Sequence, residues 1–290
     1  MNEPDVSVII PVSQSHYAVL GRQLRQLGRQ SGDTPFEVLV ADNDGRLELP
    51  SGAPAGTVLV DASSSPGPAF ARNVAAEKAS GQVLLFTDAD DLVCPDWVSA
   101  HCRALESTDF TGGPMISAPD DDPRWDEARS DTWHRDSSPG ELAMHEHIPF
   151  VTSANCGIHR DVFQQAGGFP ENYRWGEDVA FTLQVMRAGR APTFAPEAIM
   201  LKHSGYATPD DERDRLIGLG TAHVALRRDF DVGPPLPLLL ARDTARAAVR
   251  GTRGLISRDP TARAAGRAYA LRLEGAIREL VKPGSNSPQR

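Results

Sequence analysis

The sequence predicts an α/β protein in which a mostly parallel, Rossmann-like sheet is covered by helices on both faces and followed by an α-helical C-terminal extension. Over the first 110 residues, short apolar runs alternate with segments of helical periodicity. The links between these segments are short, which favours parallel strands joined by covering helices. From about Asp210 onward the chain is rich in alanine and arginine and has no strand pattern. With 290 residues, of which 40% are hydrophobic, the chain is long enough to bury a large core.

The first strand is predicted over Val6–Val12, a continuous apolar run typical of strands that are buried on both faces. A helix follows over Tyr17–Gln30, because Leu20, Leu24 and Leu27 recur at helical spacing. The other elements predicted in the first half are strands at Phe36–Val40, Thr57–Val60 and Val83–Thr87, and helices at Pro68–Ser80 and Pro95–Leu105.

The second half of the chain is less regular. Residues 118–150 are predicted to form a long polar and acidic excursion, whose histidines we interpret as loop polar groups. These histidines are His134, His145 and His147. The later elements predicted are a short segment at Thr152–Ile158, helices at Asp161–Ala166 and Glu177–Ala188, a strand at Ala198–Leu201 and a frayed tail at Pro283–Arg290. We therefore expect one domain over 1–205, with halves 1–117 and 118–205, and a helical extension over 206–290.

Charge is distributed unevenly along the chain. The net charge is -9, yet residues 241–290 carry 11 basic and 4 acidic side chains, or +7, which leaves -16 for residues 1–240. An acidic body argues against nucleic acid as a partner, because phosphate contacts need a basic surface. The same acidic body suits a protein that binds divalent cations.

The cysteines and the apolar runs bear on the cellular compartment. Cys94, Cys102 and Cys156 are odd in number and form no C-x-x-C pair, so we expect reduced thiols and a cytoplasmic location. No apolar run approaches the roughly 20 residues of a membrane span. Met1–Asp5 is polar and acidic, so no signal peptide or transmembrane segment is expected.

The strongest chemical signal is Asp88-Ala89-Asp90-Asp91, directly after an apolar strand. Alternate residues of an extended chain point the same way, so Asp88 and Asp90 can face one ligand, and two carboxylates suit Mg²⁺ or Mn²⁺. The plain alternative is an acidic turn that only ends the strand. Another is a haloacid-dehalogenase-type phosphatase, but that class usually has Thr or Val where Leu92 stands.

Several motifs together resemble glycosyltransferase family 2, whose enzymes have the GT-A fold. The motifs are the apolar Val8–Val12, the pair Asp42-Asn43, the stretch Gly67-Pro68-Ala69-Phe70-Ala71-Arg72-Asn73 and the acidic run Asp88–Asp91. The resemblance covers about Val6 to His203. It implies a transferase that moves a sugar from a nucleoside diphosphate, UDP in the first instance, to an acceptor hydroxyl or amine with the help of Mn²⁺ or Mg²⁺.

The resemblance also implies a role for each matching residue. The residues expected to bind the nucleotide sugar are Pro11, Val12, Asp42, Arg72, Asp88, Ala89, Asp90 and Asn155. Asp90 would bind the metal directly, Asp88 would contact the ribose or a metal-bound water, and His203 would be a third metal ligand. Asp178 would be the general base, with Glu177 positioning the base or the acceptor. A single base opposite the leaving diphosphate implies inversion at the anomeric carbon.

Plainer interpretations of the same residues stay open. Arg72 can form a surface ion pair near Glu77. Glu177 and Asp178 can simply complement the dipole of a helix that begins there. His203 can be structural, and Cys156 is better explained as a small buried side chain than as a nucleophile.

Two other kinds of protein with a similar sheet are alternatives to a glycosyltransferase. A nucleotidyltransferase usually has a glycine-rich loop after the first strand, whereas Ser13–His16 contains no glycine. The second alternative is a nucleotide-sugar-binding module that has the fold but no catalytic activity. The intact pair Glu177-Asp178 argues against it.

The C-terminal arginines at helical spacing are Arg242, Arg246, Arg250 and Arg253. They allow three interpretations: a membrane-surface contact near a lipid-linked acceptor at the inner membrane face, a contact between subunits of a homo-oligomer, or a solvated helix face. The acceptor itself is expected to be a small molecule, a glycan or a lipid-linked sugar.

Overall fold

The structure, a computed structural model, describes residues 5–118, 125, 143–145, 148–203, 209–233, 235–256 and 259–282. It has a mainly parallel sheet flanked by helices, which confirms the predicted fold class. His134, His147 and the predicted tail Pro283–Arg290 lie outside the described residues, as does most of the excursion at 118–150.

The chain divides into two compact units. Unit 1 comprises Met1–Glu171 and Phe181–Gly205, and unit 2 comprises Asn172–Ala180 and Tyr206–Arg290. One boundary therefore lies between residues 205 and 206, and the segment with Glu177 and Asp178 groups with the C-terminal residues. The predicted subdivision of 1–205 at residue 117 stays a prediction.

The elements alternate between strands and helices in the first half of the chain. The strands are β1 Val6–Val12, β2 Phe36–Asp42, β3 Val58–Asp61, β4 Val83–Thr87, β5 Leu92–Val93, β6 Phe110–Gly112, β7 Met115–Ala118, β8 Ala143–His145, β9 Ile148–Phe150, β10 Asn155–His159, β11 Thr193–Phe194 and β12 Met200–His203. The helices are α1 Tyr17–Leu27, α2 Pro68–Lys78, α3 Trp97–Leu105, α4 Arg160–Ala166, α5 Glu177–Arg187, α6 Pro209–Phe230, α7 Leu236–Ile256 and α8 Pro260–Leu280.

The main sheet of unit 1 has the strand order β11-β6-β10-β4-β1-β2-β3. Its half formed by β4, β1, β2 and β3 is parallel, whereas β10 runs antiparallel to β4 and β6. In register, Val12 pairs with Asp42, and Asp42 pairs with Asp61. The carboxyl ends of these parallel strands therefore meet at one edge, where ligands bind in open α/β sheets.

Side-chain alternation along β1 builds a core on each face of the sheet. Val8 and Ile10 belong to one apolar cluster with Leu24 of α1, and Ile9 belongs to the other with Ala71 of α2. All five are 0% exposed. Burial on both faces explains why the sequence of β1 is continuously apolar rather than alternating.

Helix α1 is shorter than the predicted Tyr17–Gln30, because it ends at Leu27. The amides of Arg29 and Gln30 each donate to the carbonyl three residues earlier, at 3.1 and 3.2 Å. Such bonds tighten the turn after Leu27 and end the α-helical hydrogen-bond pattern there. The sequence has no clear stop signal at this point, so the prediction extended the helix too far.

Two other boundaries differ from the predicted ones. The strand predicted at Ala198–Leu201 is found at Met200–His203, because β12 pairs with β7 through His203. The helix predicted from Pro95 begins at Trp97, whose amide is held by the carbonyl of Cys94 at 3.2 Å.

In unit 2, helix α8 packs against both α6 and α7. Glycines allow the close approach of α6 and α8. A Cβ on Gly220 would lie 1.8 Å from the carbonyl oxygen of Arg272, and one on Gly275 would lie 1.8 Å from that of Ile217. Any larger residue would push the two backbones apart. None of the described helices combines the length and the apolar composition needed to cross a bilayer.

Candidate active site

The acidic run Asp88–Asp91 links β4 to β5 at the carboxyl edge of the main sheet. The buried side chain of Gln23 on α1 holds both ends of this link. Its amide nitrogen donates to Oγ1 of Thr87 at 2.9 Å, and its amide oxygen accepts from the backbone N–H of Val93 at 3.2 Å. The loop that carries the carboxylates is therefore fixed from the core side.

Three carboxylates converge in this loop. Asp88, Asp90 and Asp91 each place a carboxylate oxygen within 4.8 Å of the others. The predicted convergence of Asp88 and Asp90 is therefore found, with Asp91 as an additional member. Among the described residues, His203 is not part of this group of side chains.

Strand β12 brings a cation and a backbone donor to the aspartates, because it pairs with β5 in a second sheet. The ammonium of Lys202 lies 3.0 Å from Oδ2 of Asp91 and 3.4 Å from Oδ2 of Asp88. The backbone N–H of His203 donates to Oδ1 of Asp91 at 3.2 Å. The imidazole of His203 lies against Trp125, with ring centroids 6.0 Å apart.

Arg72 holds Asp88 from the other side. Its Nη2 donates to Oδ1 of Asp88 at 2.7 Å, and its guanidinium carbon lies 5.4 Å from the ring centroid of Phe169. The Arg72 side chain is only 3% exposed. The interpretation of Arg72 as a surface ion pair near Glu77 is therefore wrong, and the buried guanidinium orients a carboxylate of the acidic cluster.

The pKa values of Asp88 and Asp91 shift in opposite directions. Burial acts to raise the pKa of Asp88, but the charges of Lys202 and Arg72 outweigh it and hold that pKa below its usual range. For Asp91, burial raises the pKa above its usual range, against the attraction of Lys202 and with the repulsion of the neighbouring aspartates. A divalent cation would relieve this repulsion.

The carboxylate of Asp42, the predicted nucleobase contact, accepts hydrogen bonds from other residues of the protein. The residue is 2% exposed. Its Oδ1 accepts from the hydroxyl of Tyr17 at 2.5 Å and from the N–H of Asp44 at 3.1 Å. Its Oδ2 accepts from the N–H groups of Arg46 and Leu47, both at 2.7 Å. These four donors outweigh burial and lower the pKa of Asp42. The carboxylate fixes the turn after β2, and its contact with a base stays a prediction.

The neighbouring Asn43 fixes the start of α2. Its amide donates to the carbonyls of Ala62 and Ser65 at 2.6 and 2.8 Å, and its Oδ1 accepts from the N–H of Gly67 at 2.7 Å. Gly67 has a φ of 124°, which residues with a side chain rarely adopt. These contacts thus fix the start of the helix that carries Arg72.

Two other predicted nucleotide contacts have buried side chains. Val12 and Ala89 are each 3% exposed. The backbone oxygen of Val12 accepts from the N–H of Asn43 at 2.9 Å. Any contact of these residues with a nucleotide would have to come from the backbone. Pro11, between Ile10 and Val12 in β1, is partly exposed.

The prediction that Asn155 binds the nucleotide sugar is wrong for its side chain, which is fully buried. Its Oδ1 accepts from Trp97 at 2.8 Å and lies 3.0 Å from Nε2 of His101. Its Nδ2 donates to the carbonyls of Pro114 and Ala198 at 3.0 and 2.8 Å. Burial lowers the pKa of His101 to about 4, so the imidazole is neutral. Asn155 ties β10 to α3 and has no polar atom left for a ligand.

Replacing Asn155 with leucine is therefore expected to destabilise the fold by at least about 3 kcal/mol, because it leaves buried donors and carbonyls unpaired. The folded fraction should keep its affinity for donor. Urea denaturation measures the loss, and Gln164→Leu, a similar amide-to-leucine change at an exposed position of α4, should stay within about 0.5 kcal/mol of the wild type. Unchanged stability with weakened donor binding would contradict the structural role.

Comparison with known proteins identifies the family. The profile of the family described as Glycosyl transferase family 2 matches residues 7–167, more than half of the chain. The chain belongs to this family. The match includes the acidic loop and Arg72, so the predicted resemblance is confirmed and the phosphatase alternative is set aside.

Curated relatives agree with this family. The chain is 38% identical over 106 residues to the uncharacterized glycosyltransferase YfnE of Bacillus subtilis, a match that covers 35% of this chain and 27% of the relative. It is 27% identical over 208 residues to glycosyltransferase AglE of Haloferax volcanii, covering 68% of this chain and 66% of the relative. The matched segments thus span less than two thirds of either relative.

A solved structure shares the GT-A fold. The mannosyltransferase PcManGT of Pyrobaculum calidifontis, in complex with GDP-Man and Mn²⁺, superimposes with a TM-score of 0.62 at 17% identity. The likeness covers 97% of this chain and 88% of that chain. At this identity it shows the fold alone.

The predicted base lies in unit 2 of the chain. Glu177 and Asp178 form the first turn of α5, and both are partly exposed. Oδ1 of Asp178 accepts from the N–H of Val179 at 2.8 Å. This contact fits the helix-terminus interpretation, and the role of either residue in catalysis stays a prediction.

The three cysteines of the chain, all among the described residues, are reduced thiols. Cys94 and Cys156 are buried, and Cys102 is partly exposed. Burial raises the pKa of Cys102 to about 11 and that of Cys94 still further. Neutral thiols of this kind are poor nucleophiles. The interpretation of Cys156 as a small buried side chain agrees with its 1% exposure.

Two residues of the acidic site, Lys202 and Asp91, were not among the site residues predicted from the sequence. Asp91 follows the Asp-x-Asp pattern directly, and Lys202 precedes the histidine that was chosen as a ligand. The sequence feature that could have identified Lys202 is a basic residue near the end of β12. Its partner could not be inferred, because the β5–β12 pairing joins residues more than 100 positions apart.

Proposed function

We propose that this family 2 protein is a metal-dependent, inverting glycosyltransferase. It moves a sugar from a nucleoside diphosphate, UDP in the first instance, to a hydroxyl or amine of a small-molecule, glycan or lipid-linked acceptor. The observation that carries the proposal is the group of three aspartates at the end of β4, braced by Arg72 and Lys202. The presence of GDP-Man and Mn²⁺ in the similar mannosyltransferase supports it.

The donor atoms of this group fit a hard divalent cation. Asp88, Asp90 and Asp91 offer carboxylate oxygens only, which Mg²⁺ and Mn²⁺ prefer. Three carboxylates against the cations of Arg72 and Lys202 leave a negative charge to be neutralised.

Asp90 would hold the ion, with Asp88 beside it. His203 would be a third ligand, and an imidazole would favour Mn²⁺ over Mg²⁺. The ion would supply charge neutralisation for the departing diphosphate.

The protein side chains would do the rest of the chemistry. Arg72 keeps Asp88 ionised and oriented. Asp178 would accept the proton of the acceptor hydroxyl or amine as that atom bonds to the anomeric carbon and the bond to the diphosphate breaks. Glu177 would position the acceptor or the base. Attack from the side opposite the diphosphate inverts the configuration.

Ligand-induced stabilisation tests this function. A nucleoside diphosphate at about 100 times its Kd should raise the melting temperature by several degrees in the presence of Mn²⁺, and much less with a chelator. The panel should include UDP, GDP and their sugars, because the base specificity is unassigned. Equal shifts with and without the metal, or none with any nucleotide, would contradict the proposal.

A further inference from the structure

Helix α7 presents an exposed apolar strip. Leu238, Val249 and Ile256 are 59%, 66% and 80% exposed. They are separated by 11 and 7 residues, spacings that place side chains within about 20° of one another around a helix. The small exposed residues Ala245 and Thr252 lie between them on the same face. The strip therefore runs nearly the length of this 21-residue helix.

A row of arginines borders the strip. Arg242 and Arg253 follow Leu238 and Val249 by four residues, which places them beside the strip rather than on the opposite face. Arg246 and Arg250 continue the basic side, with their guanidinium carbons 5.7 and 5.2 Å from the ring centroid of Tyr269 on α8. These ring contacts place the two guanidinium groups against α8, on the flank of α7 that adjoins the strip.

Little negative charge offsets these arginines on the helix. Asp243 is the acidic residue of α7, and it is 8% exposed and lies 3.1 Å from Arg242 and 3.9 Å from Arg246. The outer surface of α7 thus combines aliphatic side chains with cations. Residues 241–290 as a whole carry a net charge of +7.

We propose that the α7 strip docks on a bilayer that contains anionic phospholipids. Aliphatic side chains would enter the acyl boundary, and the arginines would meet the phosphate headgroups. Contact of the arginines with acidic side chains of a second copy would not by itself remove the aliphatic strip from water, whereas an anionic bilayer accommodates both kinds of side chain. This docking does not depend on the proposed transfer reaction.

Vesicle sedimentation tests the docking. The full chain should sediment with vesicles of equal parts phosphatidylglycerol and phosphatidylcholine, should remain in solution with phosphatidylcholine alone, and should be released at high salt. The double variant Val249→Gln/Ile256→Gln should bind about tenfold more weakly, since both aliphatic anchors are lost. Both positions are exposed on a helix, so circular dichroism should show the wild-type fold.

The control is Met186→Gln, which makes the same kind of change at a 38% exposed position of α5. It should bind vesicles like the wild type. Failure of the wild type to sediment with anionic vesicles, or equal binding by the double variant, overturns the proposal. A dimer that dissociates in the double variant without any vesicle binding would instead assign the strip to a second copy.

Discussion

Replacing Asp90 with asparagine is expected to lower the kcat/KM of sugar transfer by about 10³-fold, because an ion that neutralises the leaving diphosphate contributes several kcal/mol to the transition state. The structure makes Asp90 a sharper test than Asp88. Asp88 neutralises the buried Arg72, so its removal would also strand a buried cation and destabilise the fold. Asp90 is partly exposed, so its asparagine variant should fold normally.

Initial rates at saturating Mn²⁺, with circular dichroism as a folding check, measure this effect. Asp96→Asn is the matched control, since Asp96 is an aspartate of the same region whose side chain is 40% exposed and lies outside the acidic group. That control should keep wild-type activity. Full activity of the Asp90 variant, or equal wild-type rates with and without a chelator, would exclude a metal held by this group.

Replacing Asp178 with asparagine is expected to reduce the kcat of transfer by about 10²–10⁴-fold, the usual contribution of a general base. Donor binding and its Mn²⁺ dependence should not change, because Asp178 would act on the acceptor. Stability should fall by no more than about 1 kcal/mol, the typical effect of a helix-terminus charge.

The matched control for this variant is Asp161→Asn, which removes an acidic residue from the first turn of another helix, α4. Both variants lose a helix-terminus charge, and only one should lose transfer. If Asp178→Asn keeps its kcat and the two variants lose the same stability, Asp178 is a structural residue and the base lies elsewhere. Proton NMR of the product, which shows the anomeric configuration, reports inversion separately.

Strands with unambiguous local patterns could be predicted from the sequence. β1 and β4 have the predicted bounds because each is a continuous apolar run ended by polar residues. The two-residue strands β5 and β11 could not be predicted, since they exist only through pairing with β12 and β6. Short strands of this kind carry no periodicity of their own.

The candidate site was predictable where its residues are neighbours in sequence. Asp88 and Asp90 belong to one run, and the Gly-Pro start of α2 marked Arg72. The contacts of Asn155 and Lys202 depend on partners from distant segments, such as Trp97 for the asparagine and Asp91 for the lysine. An amide next to a small-residue stretch resembles a binding residue until the buried donors around it are known.

A crystal structure of the chain with Mn²⁺ and a bound nucleoside diphosphate would test the central claim most directly, because anomalous scattering locates the ion. The claim predicts one strong anomalous peak within coordination distance of the Asp90 carboxylate and of oxygens from both phosphates. A diphosphate bound without an ion there, or an ion bound away from Asp88, Asp90 and Asp91, would contradict it.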